Sequence, residues 1–105
     1  MKKIYKQLDR LGYPAHLLGT GYLADAVRIA MDNRGALMCK DVYPAIAEAR
    51  NISMNAVERN IRAATQVAIK SPVWEREWRE LGGVCARPTN SEAIHRVARS
   101  LVDED

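Results

Sequence analysis

The sequence predicts an all-α domain of about six helices around one core, and three observations indicate this class. Apolar residues recur three and four positions apart in six separate segments. Glycine, proline or asparagine lies near the end of most segments, as is typical of helix ends. No segment shows the alternation of apolar and polar residues that is typical of a strand. With 105 residues the chain can bury one core but not two, so we expect a single domain over 1–105.

Three helices are predicted before residue 51. The first ends at Gly12, and the second closes between Asn33 and Gly35. The third covers 37–50 and contains Pro44. Because proline lacks a backbone N–H, this segment either kinks at Pro44 or starts a new helix with Pro44 in its first turn.

Three more helices are predicted after residue 52. The longest runs from Ser53 to about Lys70, before a proline. The next is amphipathic over 74–81, where two tryptophans four residues apart are more typical of a core than of stacking on bases. The last begins with Thr89-Asn90-Ser91-Glu92, which matches a capping box.

Residues 41–70 fit a helix-turn-helix, in which one helix supports a second that enters the DNA major groove. The helices would meet at Asn51, because asparagine tolerates the left-handed backbone of a tight turn. Ala47 is small enough for them to approach closely, and Ser53 suits the N-cap of the second helix. We therefore take 53–70 as the candidate recognition helix.

The polar side of this helix carries side chains that suit base recognition. Glu58, Arg59 and Arg62 are the candidate base-reading residues, because arginine pairs with guanine and a carboxylate accepts from the cytosine amino group. Lesser candidates for DNA contacts are Ser53, Asn55, Gln66, Asn90 and Ser91. Periodicity leaves alternatives open: Glu58 and Arg62 also form an ordinary i,i+4 ion pair on a solvated face, and Asn90 and Ser91 also suit a helix cap.

The charge distribution suits a polyanionic partner, with solubility as the alternative. The last three residues are acidic, and the remainder carries 16 basic against 10 acidic residues, a balance of +6. No apolar run approaches the roughly 20 residues of a membrane span. Met1-Lys2-Lys3 lacks the apolar stretch of a signal peptide behind it. We expect a cytoplasmic protein with no membrane association.

The residues with reactive side chains form no recognisable catalytic or metal-binding motif. Cys39 and Cys85 are expected to be small buried hydrophobic residues, with a disulfide as the alternative. His16 and His95 complete no metal-ligand spacing with them. We therefore expect no enzyme activity, no cofactor and no metal.

Three motifs in order resemble one known family. They are Gly12, Pro14-Ala15-His16, Gly19 and Tyr22-Leu23 near the start; Tyr43-Pro44, Ile46-Ala47, Val57-Glu58-Arg59 and Ile61-Arg62 in the helix-turn-helix; and Pro88-Thr89-Asn90-Ser91-Glu92 at the last helix. From about residue 4 to 102, the chain resembles the C-terminal DNA-binding effector domain of the stage-zero sporulation protein A family, the response regulators that initiate sporulation.

The resemblance implies an all-helical transcription regulator that binds a short box in double-stranded promoter DNA. It implies that Glu58, Arg59 and Arg62 face the bases. It also suggests RNA polymerase as a further partner and a homodimer that is weak or forms on DNA.

Three departures from the family pattern qualify these implications. Ala63 stands where family members carry a larger polar residue suited to a phosphate, and 70–88 is shorter than usual. In the family, a phosphoacceptor receiver domain normally precedes this domain, and the sequence does not include one. Two explanations stay open: the chain is a free-standing effector, or the sequence covers one domain of a longer protein. The rival interpretation is a helical protein-interaction module that keeps the fold without binding DNA.

Overall fold

The computed structural model describes residues 1–102 and confirms the all-α prediction. The helices are α1 (Lys2–Leu11), α2 (Leu18–Asp32), α3 (Tyr43–Arg50), α4 (Met54–Ile69), α5 (Trp74–Glu80) and α6 (Asn90–Val102). A short π-helical turn, Met38–Val42, precedes α3. No strand occurs within this range.

Helix α2 lies at the centre of the packing, because its main contacts are with both α4 and α6. Its buried residues Leu23 and Val27 join aliphatic side chains of the other helices, among them Ile61 and Ile94. Trp74 and Trp78 stack with ring centroids 5.1 Å apart and are buried. This confirms that the tryptophan pair belongs to the core.

Three helices end with the same left-handed C-terminal motif. Gly12, Asn51 and Gly82 have φ angles of 101°, 54° and 91°. In each motif the next N–H donates to a carbonyl five residues back. These bonds are Tyr13 to Leu8 at 3.0 Å, Ile52 to Ala47 at 3.0 Å, and Gly83 to Trp78 at 2.9 Å. Chain direction after each helix is therefore fixed by hydrogen bonds, as predicted for the Asn51 turn.

The segment 37–50 follows the second of the two predicted alternatives. The π-helical turn ends at Val42, and α3 begins with Pro44 in its first turn. The missing N–H of Pro44 is harmless there because the first N–H groups of a helix have no partner within the helix.

The two cysteines correct a sequence-based expectation. Cys39 and Cys85 are exposed free thiols rather than buried hydrophobic residues. Cys39 lies in the π-helical turn, and Cys85 lies in the loop after α5, where its Sγ donates to the Arg87 carbonyl at 3.4 Å. Neither segment has an α-helical period, so periodicity could not assign a buried side to them.

Candidate nucleic-acid interface

The turn between α3 and α4 sets the direction of the candidate recognition helix. Asn51 adopts the left-handed conformation, and its N–H donates to the Glu48 carbonyl at 3.3 Å. Ser53 then caps α4, since its Oγ accepts from the Ala56 N–H at 3.0 Å. Both local predictions are confirmed, and together they fix where α4 begins.

One side of α4 is anchored in the core. Its buried residues are Val57, Ile61, Ala64, Thr65 and Ala68. The Thr65 hydroxyl is 2.9 Å from the Tyr13 hydroxyl, a hydrogen bond that spans 52 residues of sequence. Burial raises the pKa of Tyr13 to about 12, and the Thr65 bond opposes part of that rise. This contact joins the buried side of α4 to the segment after α1.

The opposite side of α4 carries long polar side chains. Asn55, Arg59, Arg62 and Gln66 are exposed, and their spacing of three and four residues places them along one side of the helix. Glu58 lies at the edge of this side and is partly buried. The predicted base-reading residues are thus next to one another on α4, and Asn55 and Gln66 extend the same row.

Glu58 and Arg62 form an ion pair with 3.3 Å between Oε1 and Nη1, and their side chains are 37% and 57% exposed. Exposed i,i+4 pairs contribute about 0.3–0.5 kcal/mol, so a stronger partner can replace this one. Within residues 1–102, Arg59 has neither an ion pair nor a hydrogen bond through its side chain. Its guanidinium is available to an incoming ligand.

A groove of about 520 Å³ runs beside this face, between α4, the π-helical turn and the start of α6. It is lined by Met38, Cys39, Tyr43, Glu58, Arg62, Thr65, Gln66, Ile69, Arg87, Pro88, Thr89, Asn90 and Ser91. Among these residues Glu58 is the one carboxylate, against Arg62 and Arg87. The groove therefore favours an anionic ligand.

Sequence reasoning missed Arg87. This exposed arginine lies in the loop before α6 and lines the same groove as Arg62. No local pattern places it near α4, because the loop has no periodicity and the groove forms only when α6 packs in place. Its position before Pro88 was visible in the sequence, but its proximity to α4 was not.

Asn90 and Ser91 lie where the predicted capping box begins α6. The Thr89 N–H donates to the Glu92 carboxylate at 3.0 Å, and the Glu92 N–H donates to the Thr89 hydroxyl at 3.1 Å, which confirms the box. These bonds lower the pKa of Glu92. The Asn90 side chain instead donates to the Tyr43 hydroxyl at 3.1 Å and to the Glu58 carbonyl at 3.0 Å.

We also examined residues 1–102 for metal sites and for membrane-spanning helices. Residues 1–102 contain no cluster of three or more histidine, cysteine, aspartate or glutamate side chains placed to hold a metal ion. Over the same residues, none of the helices has the length and apolar character needed to cross a membrane.

Comparison with protein-family models agrees with this geometry. Residues 4–101 match the family model described as sporulation initiation factor Spo0A C terminal. The match covers nearly the whole chain and confirms the family resemblance. Domains of this family are DNA-binding effector domains of sporulation regulators, with a regulatory rather than a catalytic role. The chain belongs to the C-terminal domain family of sporulation initiation factor Spo0A.

Proposed function

We propose that this domain binds double-stranded promoter DNA by placing α4 in the major groove, and that it regulates transcription from there. The observation that carries the proposal is the exposed row of Asn55, Arg59, Arg62 and Gln66 on a helix whose other side is buried. Such a row can reach base edges while the domain remains folded behind it. A protein acting on promoters works in the cytoplasm of a bacterial cell, where we place it.

The base-reading roles follow from the hydrogen-bonding groups. Arg59 and Arg62 each present paired N–H donors that match the two acceptors of guanine in the major groove. Glu58 can accept from the amino group of cytosine, and its ion pair with Arg62 holds the two side chains on adjacent turns. Asn55 and Gln66 have the amide groups that pair with adenine, so we assign them secondary roles.

Phosphate contacts would come from two places, the start of α4 and the groove beside it. The Ser53 hydroxyl accepts from the Ala56 N–H and keeps its own O–H to donate to a phosphate oxygen. Asn55 and the free N–H groups at the start of α4 lie nearby, at the positive end of the helix. Arg87 and Ser91 line the groove itself. Ala63 offers no polar group, so these residues carry most of the backbone contacts.

Selection of bound sequences from a random duplex pool tests this proposal. Arg59→Ala should weaken binding to the selected site by about 1–3 kcal/mol and relax the preference at one base pair. Arg28→Ala is the matched control, because Arg28 is exposed on α2 and lies nine residues, two and a half turns, from Gly19, which packs against α4. It removes the same charge from the side of α2 facing away from α4.

Two results would contradict the proposal. A pool that shows no enriched sequence would favour the protein-interaction module instead. Equal losses for Arg59→Ala and Arg28→Ala would show that Arg59 contributes general charge rather than base recognition.

The proposal extends to assembly on DNA. One reading helix covers few base pairs and makes few phosphate contacts, so a monomer should bind weakly. Helix-turn-helix dimers place half-sites about one helical turn, roughly 10 base pairs, apart. We therefore expect a monomer or weak dimer that binds tandem boxes cooperatively. Mobility-shift titrations with one box, two boxes and two boxes displaced by half a turn test this; equal affinity per box in all three would contradict it.

A further inference from the structure

The side chain of Asn90 links three helices next to the reading face, the exposed side of α4 that carries Arg59 and Arg62 with Glu58 at its edge. One Nδ2 hydrogen is donated to the hydroxyl of Tyr43, at the start of α3, over 3.1 Å. The other is donated to the backbone carbonyl of Glu58, in the middle of α4, over 3.0 Å. Asn90 itself is the first residue of α6. Its amide therefore joins α3, α4 and α6 at one point.

The orientation of this amide follows from the chemistry of its partners. The Glu58 carbonyl is an acceptor, so the reverse orientation would bring the Asn90 Oδ1 against another oxygen. A carbonyl has two lone pairs, and the second one accepts the N–H of Arg62 within the helix. Asn90 thus holds the turn of α4 that carries Glu58, Arg59 and Arg62.

The pKa of the Tyr43 hydroxyl responds to the groups around this junction. Burial raises the pKa of Tyr43, and the hydrogen bond from Asn90 opposes that rise. The charges of Glu58, which raises the pKa, and of Arg62, which lowers it, also act on this hydroxyl. The junction at Asn90 is therefore adjacent to the charged part of the reading face.

We propose that Asn90 is a positioning residue for DNA recognition: its amide sets the depth and rotation of the α4 turn that presents Glu58 and Arg62 to the bases. This inference rests on the proposed function of α4. It gives Asn90 a role different from a phosphate contact, because both amide hydrogens are already donated within the protein and the remaining Oδ1 would repel a phosphate oxygen.

The experiment compares specific with non-specific binding. Affinities of the wild type, Asn90→Ala and Tyr43→Phe are measured for the selected site and for an unrelated duplex at one salt concentration. Ser91→Ala is the comparison for a direct phosphate contact, because Ser91 is a proposed phosphate ligand one residue further along α6 at the same groove. Backbone amide signals of residues 58–62 are recorded by NMR in the protein without DNA.

Asn90→Ala should shift the Arg62 amide signal and lower the ratio of specific to non-specific affinity roughly fivefold, the effect of losing its one hydrogen bond to α4. Its affinity for the unrelated duplex should stay unchanged. Tyr43→Phe removes one of the two acceptors and should give a smaller loss of the same ratio, and it serves as the test if Asn90→Ala does not fold. Ser91→Ala should weaken binding to both duplexes by the same factor and so leave the ratio unchanged.

The outcomes distinguish failure of the positioning role of Asn90 from failure of the proposed DNA binding by α4. A wild type that does not discriminate between the two duplexes overturns the proposed function itself. A discriminating wild type with an unchanged ratio in Asn90→Ala overturns the positioning role. Equal losses on both duplexes also overturn it, because they indicate a direct phosphate contact.

Discussion

Replacing Gly19 by alanine should destabilise the domain, although alanine forms helices better than glycine. Gly19 is buried near the start of α2, where this helix crosses α4. An added Cβ would lie 1.9 Å from the Asn60 carbonyl oxygen and 3.0 Å from the Ala64 Cβ. Real Cβ contacts essentially never fall under 3.0 Å, so the two helices would have to separate by at least the difference between 3.0 and 1.9 Å.

The magnitude follows from two opposing effects. Overpacking a core costs about 1–3 kcal/mol, and the upper end applies here because the obstructing atom belongs to the backbone and cannot rotate away. Alanine recovers about 1 kcal/mol through its higher helix propensity. The net loss in the free energy of unfolding is about 2 kcal/mol, which lowers the Tm of a domain of this size by roughly 8–16 °C.

Gly21→Ala is the matched control in the same helix. Its added Cβ would meet nothing closer than the Tyr5 hydroxyl at 3.8 Å, an ordinary contact. This variant should gain about 0.5–1 kcal/mol from helix propensity. Thermal and urea unfolding followed by circular dichroism measure both. If Gly19→Ala melts at or above the wild-type temperature, the close approach of α2 and α4 is refuted.

Three further predictions test the core, the groove and the buried tyrosine. Val57→Asp should abolish cooperative unfolding, because Val57 is fully buried and an unpaired carboxylate there is costly; the exposed Asn55→Asp should melt like the wild type, and equal melting of both would show the sides of α4 to be misassigned. Arg87→Ala should reduce the salt dependence of DNA binding by about one phosphate contact while the selected sequence stays the same; an unchanged slope would remove Arg87 from the interface. Tyr13, with its folded-state pKa raised to about 12, stabilises the fold fully below pH 10, and this contribution is lost as the pH rises toward 12. Urea midpoints of Tyr13→Phe should therefore fall less over that range than those of the wild type, and parallel curves would contradict this.

Local signals in the sequence predicted the elements that form the candidate interface. The Ser53 cap, the left-handed Asn51 and the Thr89–Glu92 box each depend on residues within three positions of one another, so the sequence displays them directly. The buried stripe of α4 follows from the helical period in the same way. Fold class, helix order and the identity of the exposed row could therefore be predicted from the sequence alone.

Long-range contacts could not be predicted from these signals. Asn90 meets partners 47 and 32 residues away in sequence, and Thr65 meets Tyr13 across 52 residues. The polar groups themselves give no indication of which distant atom they will reach. The exposed cysteines were missed for a related reason, since they lie in connections whose burial depends on how neighbouring helices pack.

Three contacts from distant parts of the chain act on α4. Gly19 lets α2 press against the backbone of α4 at Asn60, Tyr13 holds the buried Thr65, and Asn90 holds the carbonyl of Glu58. Two of these contacts lie on the turn that contains Glu58 and Asn60, and the third lies further along at Thr65, so together they restrict the displacement and rotation of α4. A protein that reads bases needs such restriction, because a side chain displaced by about 1 Å loses the geometry of a bidentate hydrogen bond. Substitutions at these three supports should therefore alter sequence preference even though none of the three residues carries a proposed base contact.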